Sequence, residues 1–184
     1  MSMTVIGVDP GSEESGLVVW DGDKVWFKGI APNLEVVSFI ALMGVWAAQS
    51  ERDAVLAIEY TKPYVLWTKP NPKEPRGRPY VPEQVFTTAY WVGQMSREWT
   101  AQTTQPEVQL PRSDILRHLG ANKRKILGRP APNRDSQVLD KLKTRFGEKG
   151  TKSNPGVTYG FKSHIWQAFA VAVTFLDSQR IPDF

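Results

Sequence analysis

The chain opens on an unbroken apolar run, Thr4-Val5-Ile6-Gly7-Val8, that stops at Asp9 and turns at once on Pro10-Gly11-Ser12. β-Branched residues on successive positions, with no polar face, predict a strand covered on both sides that delivers a carboxylate to its carboxyl end. Gly16 to Trp20 and Lys24 to Gly29, joined by the turn residues Asp21-Gly22-Asp23, predict two more strands in an antiparallel meander. From Leu34 to Gln49 the period changes. Val37, Ile40, Ala41, Gly44, Val45 and Ala48 recur at helical spacing and predict a helix crossing back over the sheet. Ala54 to Glu59 is a second fully apolar run that again closes on an acid. Coming after a crossover helix, it is expected to lie parallel to the first strand and beside it.

Tyr60 to Pro82 breaks the pattern, with six prolines, five Lys/Arg and four large aromatics (Tyr60, Tyr64, Trp67, Tyr80). A long loop of this kind is usually functional or disordered, and aromatics set among cations suit nucleic-acid bases. Packing of the loop on its own domain is the alternative. Helical periodicity returns from Glu83 to Thr100, where Val85, Phe86, Ala89, Tyr90, Val92, Gly93 and Trp99 make a wide apolar surface for core packing or for a subunit interface. Glu107 to Leu110 predicts a fifth strand, and Ser113 is expected to cap a short helix ending near Gly120. Arg134 to Phe146, closed by Gly147, predicts a basic amphipathic helix. Glu148 to Lys162 reads as a mobile polar loop, and Ser163 as the cap of a last helix from His164 to about Ser178. The expected architecture is α/β: one domain over residues 1–184, with a five-stranded mixed sheet of order 3-2-1-4-5 flanked by helices.

Composition narrows the chemistry. The 184 residues are 41% hydrophobic and 23% charged, which is ordinary globular usage, and there is no cysteine. A disulfide framework and a thiolate metal site are both excluded, and two histidines cannot make a His-rich zinc centre. The longest mostly apolar run, Ile165 to Leu176, is too short to span a bilayer, so the chain is expected to be soluble and to avoid membranes, and the absence of cysteine is compatible with the expected cytoplasmic setting. The net charge of +4 is unevenly placed. Arg112 to Lys152 holds twelve Lys/Arg against four acids, a net +8, which leaves the remainder net acidic. A basic stretch beside a carboxylate-bearing core suits an enzyme acting on a polyanion.

Asp9 and Glu59 end neighbouring strands, and two such carboxylates repel unless a cation lies between them. Oxygen donors without thiols favour Mg²⁺ or Mn²⁺. On the last helix His164 and Gln167 are three residues apart and share a face, with a ligating or water-orienting role for His164 set against simple solvent exposure.

Gly7-Val8-Asp9-Pro10-Gly11-Ser12 with Gly16, Ile58-Glu59, and His164-Ile165-Trp166-Gln167-Ala168 together resemble the RuvC-type Holliday-junction resolvases of the ribonuclease H-like superfamily. The resemblance covers nearly the whole chain in order and spacing. It implies a homodimer that binds four-way or otherwise branched DNA and cuts two opposed strands with two Mg²⁺ or Mn²⁺ ions per active site. Asp9 would bridge the ions, Glu59 would bind one, and His164 would bind or orient at the other. Where the family pattern His-x-x-Asp-Ala has aspartate, this chain has Gln167, a neutral donor. Three explanations compete: an active enzyme with a weaker metal site, compensation by Asp135 or Asp177, or lost cleavage with junction binding kept. The DNA-contacting candidates are Tyr60, Tyr64, Trp67, Lys69, Arg76, Arg78, Lys123, Arg124, Lys125 and Arg129. A third class, an actin-like or sugar-kinase-like ATPase, shares the first hairpin but needs far more chain.

Overall fold

The computed structural model describes residues 3–50, 53–60, 66–67, 79–80, 82–122, 125–126, 129–130 and 132–180. Its main sheet runs β3-β2-β1-β4-β7, formed by β1 (Thr4–Asp9), β2 (Glu14–Trp20), β3 (Val25–Pro32), β4 (Ala54–Tyr60) and β7 (Glu107–Pro111). This is the expected ribonuclease H-like order, with β7 as the fifth strand. β1 pairs antiparallel with β2 and parallel with β4, and β4 pairs parallel with β7. Two-residue strands also pair antiparallel, β5 (Leu66–Trp67) with β6 (Pro79–Tyr80) and β8 (Lys125–Ile126) with β9 (Arg129–Pro130). The periodicity of the chain signals neither pair, because two residues are too few to carry a period.

Side-chain parity divides the core into two layers. Ile6, Val8, Leu17, Val19, Leu56 and Ile58 point to one face, against α1 (Asn33–Gln49) and α2 (Glu83–Gln102). Val5, Val18, Trp20, Val55 and Ala57 point to the other, under α5 (Ser163–Arg180), which is backed by α3 (Arg112–His118) and α4 (Arg134–Phe146). With helices on both faces, β1 and β4 must be apolar throughout, as their sequences are. α5 is buried from Ile165 to Leu176, which explains its nearly all-round apolar character.

α5 comes very close to the sheet. A Cβ on Gly7 would fall 2.3 Å from the Ala168 carbonyl oxygen, and one on Gly16 would fall 2.4 Å from that of His164. Glycine at these two positions lets the first two turns of α5 rest directly on β1 and β2. Asp177 holds the far end of the helix: its carboxylate takes His118 Nε2 of α3 at 2.8 Å and Arg145 Nη2 of α4 at 2.7 Å.

Several local expectations are corrected. β2 and β3 are longer than their apolar cores, because the hairpin pairs outward as far as Glu14 and Pro32. Ser113 does not cap α3: β7 runs straight into the helix, Pro111 takes the cap position, and the Ser113 hydroxyl donates to Asp114 instead. At α5, Ser163 is the first helical residue, with φ 26°. The stretch from Glu148 to Lys162 is tied to the core, although 151–155 are exposed. Phe161 and Thr158 are fully buried, and Lys149 Nζ donates to the Phe161 carbonyl at 2.8 Å. On α2, only Val92, Met95 and Trp99 are buried, whereas Phe86 and Tyr90 are exposed.

Candidate active site

Parity that sorts the core also sorts the acids. Asp9 follows Val5 and Gly7 on the α5 face of β1, and Glu59 follows Val55 and Ala57 on the same face of β4. The two strands run in register from Thr4↔Ala54 to Val8↔Ile58, so the acids occupy the next rung, at the carboxyl edge of the sheet. Both are buried, Asp9 at 7% exposure and Glu59 at 4%.

The turn after Asp9 is held by a buried polar set. Gly11 N–H donates to Ser15 Oγ, Ser15 Oγ–H donates to Asn33 Oδ1 at 2.5 Å, and Asn33 Nδ2 donates back to the Gly11 carbonyl at 3.1 Å. Asn33, one residue before the helix start expected at Leu34, is the first residue of α1 and pins the Pro10-Gly11 turn to the helix.

α5 brings His164 onto Asp9, with Nδ1 2.7 Å from Oδ2. That hydrogen bond, offset in part by burial and helped by the Asp9 charge, raises the His164 pKa and favours the imidazolium. Gln167 lies one turn further along at 9% exposure. It lines a cleft of about 360 Å³ between α4 and α5, with Asp135, Ser136, Lys149, Lys162 and Trp166. On the opposite side of the edge, Tyr60 lines a smaller cleft of about 170 Å³ with Pro10, Gln84 and Thr88.

One member of the site was not foreseen. Arg112, the first residue of α3, donates through Nη1 to both Glu59 oxygens, at 2.8 and 2.9 Å, and through Nη2 to Asp135. Burial of Glu59, reinforced by the Asp9 charge and opposed by Arg112, pushes its carboxyl up to about 7. For Arg112, burial acts to lower the pKa, but the Glu59 charge and hydrogen bonds outweigh it and raise it further. The signal available in the sequence was positional: Arg112 directly follows the strand that pairs with β4.

Of the expected site residues, Asp9, Glu59 and His164 meet at one edge and Gln167 stands on the same helix face as His164. Of the two acids weighed as compensation, Asp135 reaches the site through Arg112, while Asp177 is committed to His118 and Arg145. Lys125, Arg129 and Trp67 fall in the short strand pairs, and Tyr64, Lys69, Arg76, Arg78, Lys123 and Arg124 lie outside the described residues.

The donor set fits a hard divalent ion in its chemistry. Two buried carboxylates on one face repel each other, and oxygen and imidazole donors with no thiol suit Mg²⁺ or Mn²⁺. It is a sparse set, however. Among the described residues, no group of three or more His, Cys, Asp or Glu side chains is placed to hold a metal ion.

No protein-family model matches the sequence, and no curated protein is significantly similar to it. Solved structures do match. The fold is ribonuclease H-like and matches that of RuvC: RuvC of Thermus thermophilus in complex with a Holliday junction substrate superposes with a TM-score of 0.59. The alignment has 17% identity and covers 97% of this chain and 95% of that one. A second Thermus thermophilus RuvC structure gives a TM-score of 0.58, again at 17% identity, over 97% and 96% of the two chains. Among the described residues, no helix is long and apolar enough to cross a membrane.

Proposed function

We propose that this chain is a Mg²⁺- or Mn²⁺-dependent DNA endonuclease of the RuvC type, resolving four-way or other branched DNA by paired nicks that leave 5′-phosphate ends. The observation that carries this reading is the placement of Asp9 and Glu59 on one rung and one face of the sheet edge, with His164 bonded to Asp9. The resemblance to a junction-bound nuclease supports the substrate class.

Asp9 and Glu59 would hold the metal, and Gln167, one turn along α5 from His164, offers a neutral carbonyl oxygen. When bound, the metal would supply Lewis-acid polarisation of the scissile phosphate and a water of lowered pKa. The chain's own residues do the positioning. His164 fixes the Asp9 carboxylate, the Ser15–Asn33 set fixes the turn that carries it, and the cleft bearing Lys149 and Lys162 gives an anionic strand a route past Gln167. Tyr60 stands at the opposite lip, where a base of an open crossover can stack. The Asp9→Asn variant should lose cleavage of a synthetic four-way junction in Mg²⁺ or Mn²⁺ while still binding it. Undiminished cleavage would refute the assignment.

Gln167 favours a second reading, a junction-binding protein of the same fold that does not cut. A preparation that binds junctions but nicks them in neither metal, and gains cleavage with Gln167→Asp, would establish it. We further propose that the chain works as a homodimer through α2. Phe86 and Tyr90 lie four residues apart at 64% and 58% exposure, and a Cβ on Gly93 would meet nothing within 4 Å. That open apolar stripe suits a second copy. Sedimentation should show a dimer that Phe86→Glu dissociates.

A further inference from the structure

Arg112 is placed by the backbone, not by the reach of a long side chain. Glu59 pairs with Leu110 and Tyr60 with Pro111, and α3 begins at the next residue. The edge strand therefore releases Arg112 beside the end of β4, where its side chain is only 28% exposed. Its guanidinium is held at both ends, by Glu59 through Nη1 and by Asp135 of α4 through Nη2. A planar fork clamped in this way is a fixed positive charge.

Charge balance then limits what else the site can take. Asp9 and Glu59 are its two buried carboxylates, and Gln167 in the third corner is neutral. With the His164 imidazolium on Asp9 and the Asp135 carboxylate on Arg112 both counted, one divalent ion, the guanidinium and the imidazolium balance Asp9, Glu59, Asp135 and one phosphodiester. A second divalent ion would leave two positive charges in excess. A further described carboxylate whose charge reaches the site, Glu14, is exposed and screened by water.

We propose that the site takes a single divalent ion, held by Asp9 with Glu59, and that Arg112 supplies the second positive charge and fixes the Glu59 carboxylate. This rests on the nuclease reading above and departs from the two-ion arrangement that the family resemblance implies. Arg112 acts through Glu59 and is a positioning residue. Both Glu59 oxygens retain a lone pair after accepting from Nη1, so one of them remains free for the ion. The neutral Gln167 and the cationic Arg112 act in the same direction: fewer negative charges, and one fewer ion needed to balance them.

The test is calorimetric titration of the metal-free full-length chain with Mn²⁺ at pH 8 without DNA, using Asp9→Asn as the blank for ions bound elsewhere. The wild-type chain should bind one ion per chain. Arg112→Lys should keep that stoichiometry. In parallel, Arg112→Gln should lower junction cleavage by about 10²–10³-fold, the usual effect of removing one preorganised electrostatic group, with partial recovery in Arg112→Lys. Thermal melts monitor folding, and if Arg112→Gln does not fold, the wild-type stoichiometry and Arg112→Lys decide the matter. Two ions per wild-type chain, or wild-type cleavage by a folded Arg112→Gln, would overturn the proposal. Two ions with Asp9-dependent cleavage would overturn the single-ion proposal and leave the nuclease reading standing. Cleavage that is indifferent to Asp9→Asn would sink the nuclease site itself.

Discussion

His164 Nδ1 and Asp9 Oδ2 meet at 2.7 Å although 155 residues separate them in the chain. The contact joins the first strand to the last helix and raises the His164 pKa through the hydrogen bond to Asp9. A histidine whose pKa is raised by folding contributes stability that is complete below its unfolded pKa and lost as pH rises through the folded one. In EDTA, His164→Ala should therefore cost more stability at pH 5.5 than at pH 9. With the side chain 39% exposed, the difference should be under about 1 kcal/mol. Urea unfolding at the two pH values measures it, and an NMR titration placing His164 at or below the ordinary histidine pKa would contradict it.

The approach of α5 to the sheet gives a second expectation. Gly16 pairs with Asp9 and lies under the His164 carbonyl, so Gly16→Ala forces the first turn of α5 outward, at about 1–3 kcal/mol for overpacking against backbone. Because that turn carries His164, junction cleavage should fall further than the stability loss accounts for. Gly93→Ala is the control. A Cβ there meets nothing within 4 Å in mid-helix, and the change should stabilise the monomer by about 0.5–1 kcal/mol in chemical denaturation.

Asp177 should prove structural. Burial acts to raise its pKa, but the hydrogen bonds from Arg145 and His118 prevail and lower it. A carboxylate with a depressed folded pKa contributes stability that is present above its unfolded pKa and lost as pH falls through the folded value. Asp177→Asn should thus destabilise the chain by about 1–3 kcal/mol at pH 7, with the deficit shrinking below pH 4. Metal-dependent cleavage by the folded fraction should persist, and a cleavage defect at full folding would return Asp177 to the list of catalytic acids.

Much of this was legible in the chain because the signals are long and physically simple. Two β-branched runs ending in Asp9 and Glu59, split by a helical period, require a parallel pair with both acids at one edge. Parity then puts them on one face. Arg112 was legible only by its position after the fifth strand, because what brings it to Glu59 is the register Tyr60↔Pro111, which no local pattern encodes. The exposure of Phe86 and Tyr90 was hidden for a related reason. A wide apolar helix surface says that something covers it, and not whether the cover is the same chain. Composition also hid the anchors in Glu148 to Lys162: Thr158 and Phe161 are buried, and Phe161 packs in the core cluster with α5.

Glu59 sets the pH range in which the site can work. Its burial and the Asp9 charge push its carboxyl up to about 7 despite Arg112, so near neutral pH a proton competes with any cation for the same oxygens. Metal binding needs the ionised form, and one proton must leave for each ion held when the pH is below that value. The Mn²⁺ affinity of the wild-type chain should therefore drop about tenfold per pH unit below 7 and level off above pH 8. Proton release, measured by calorimetry in two buffers of different ionisation enthalpy, should approach one per ion at pH 6 and fall toward zero at pH 8.5. Glu59→Gln removes the competing proton together with the charge, so its residual Mn²⁺ affinity should be weak and nearly flat over the same range. An affinity for the wild-type chain that stays level from pH 6 to 8.5 would mean that Glu59 is not among the groups that hold the ion.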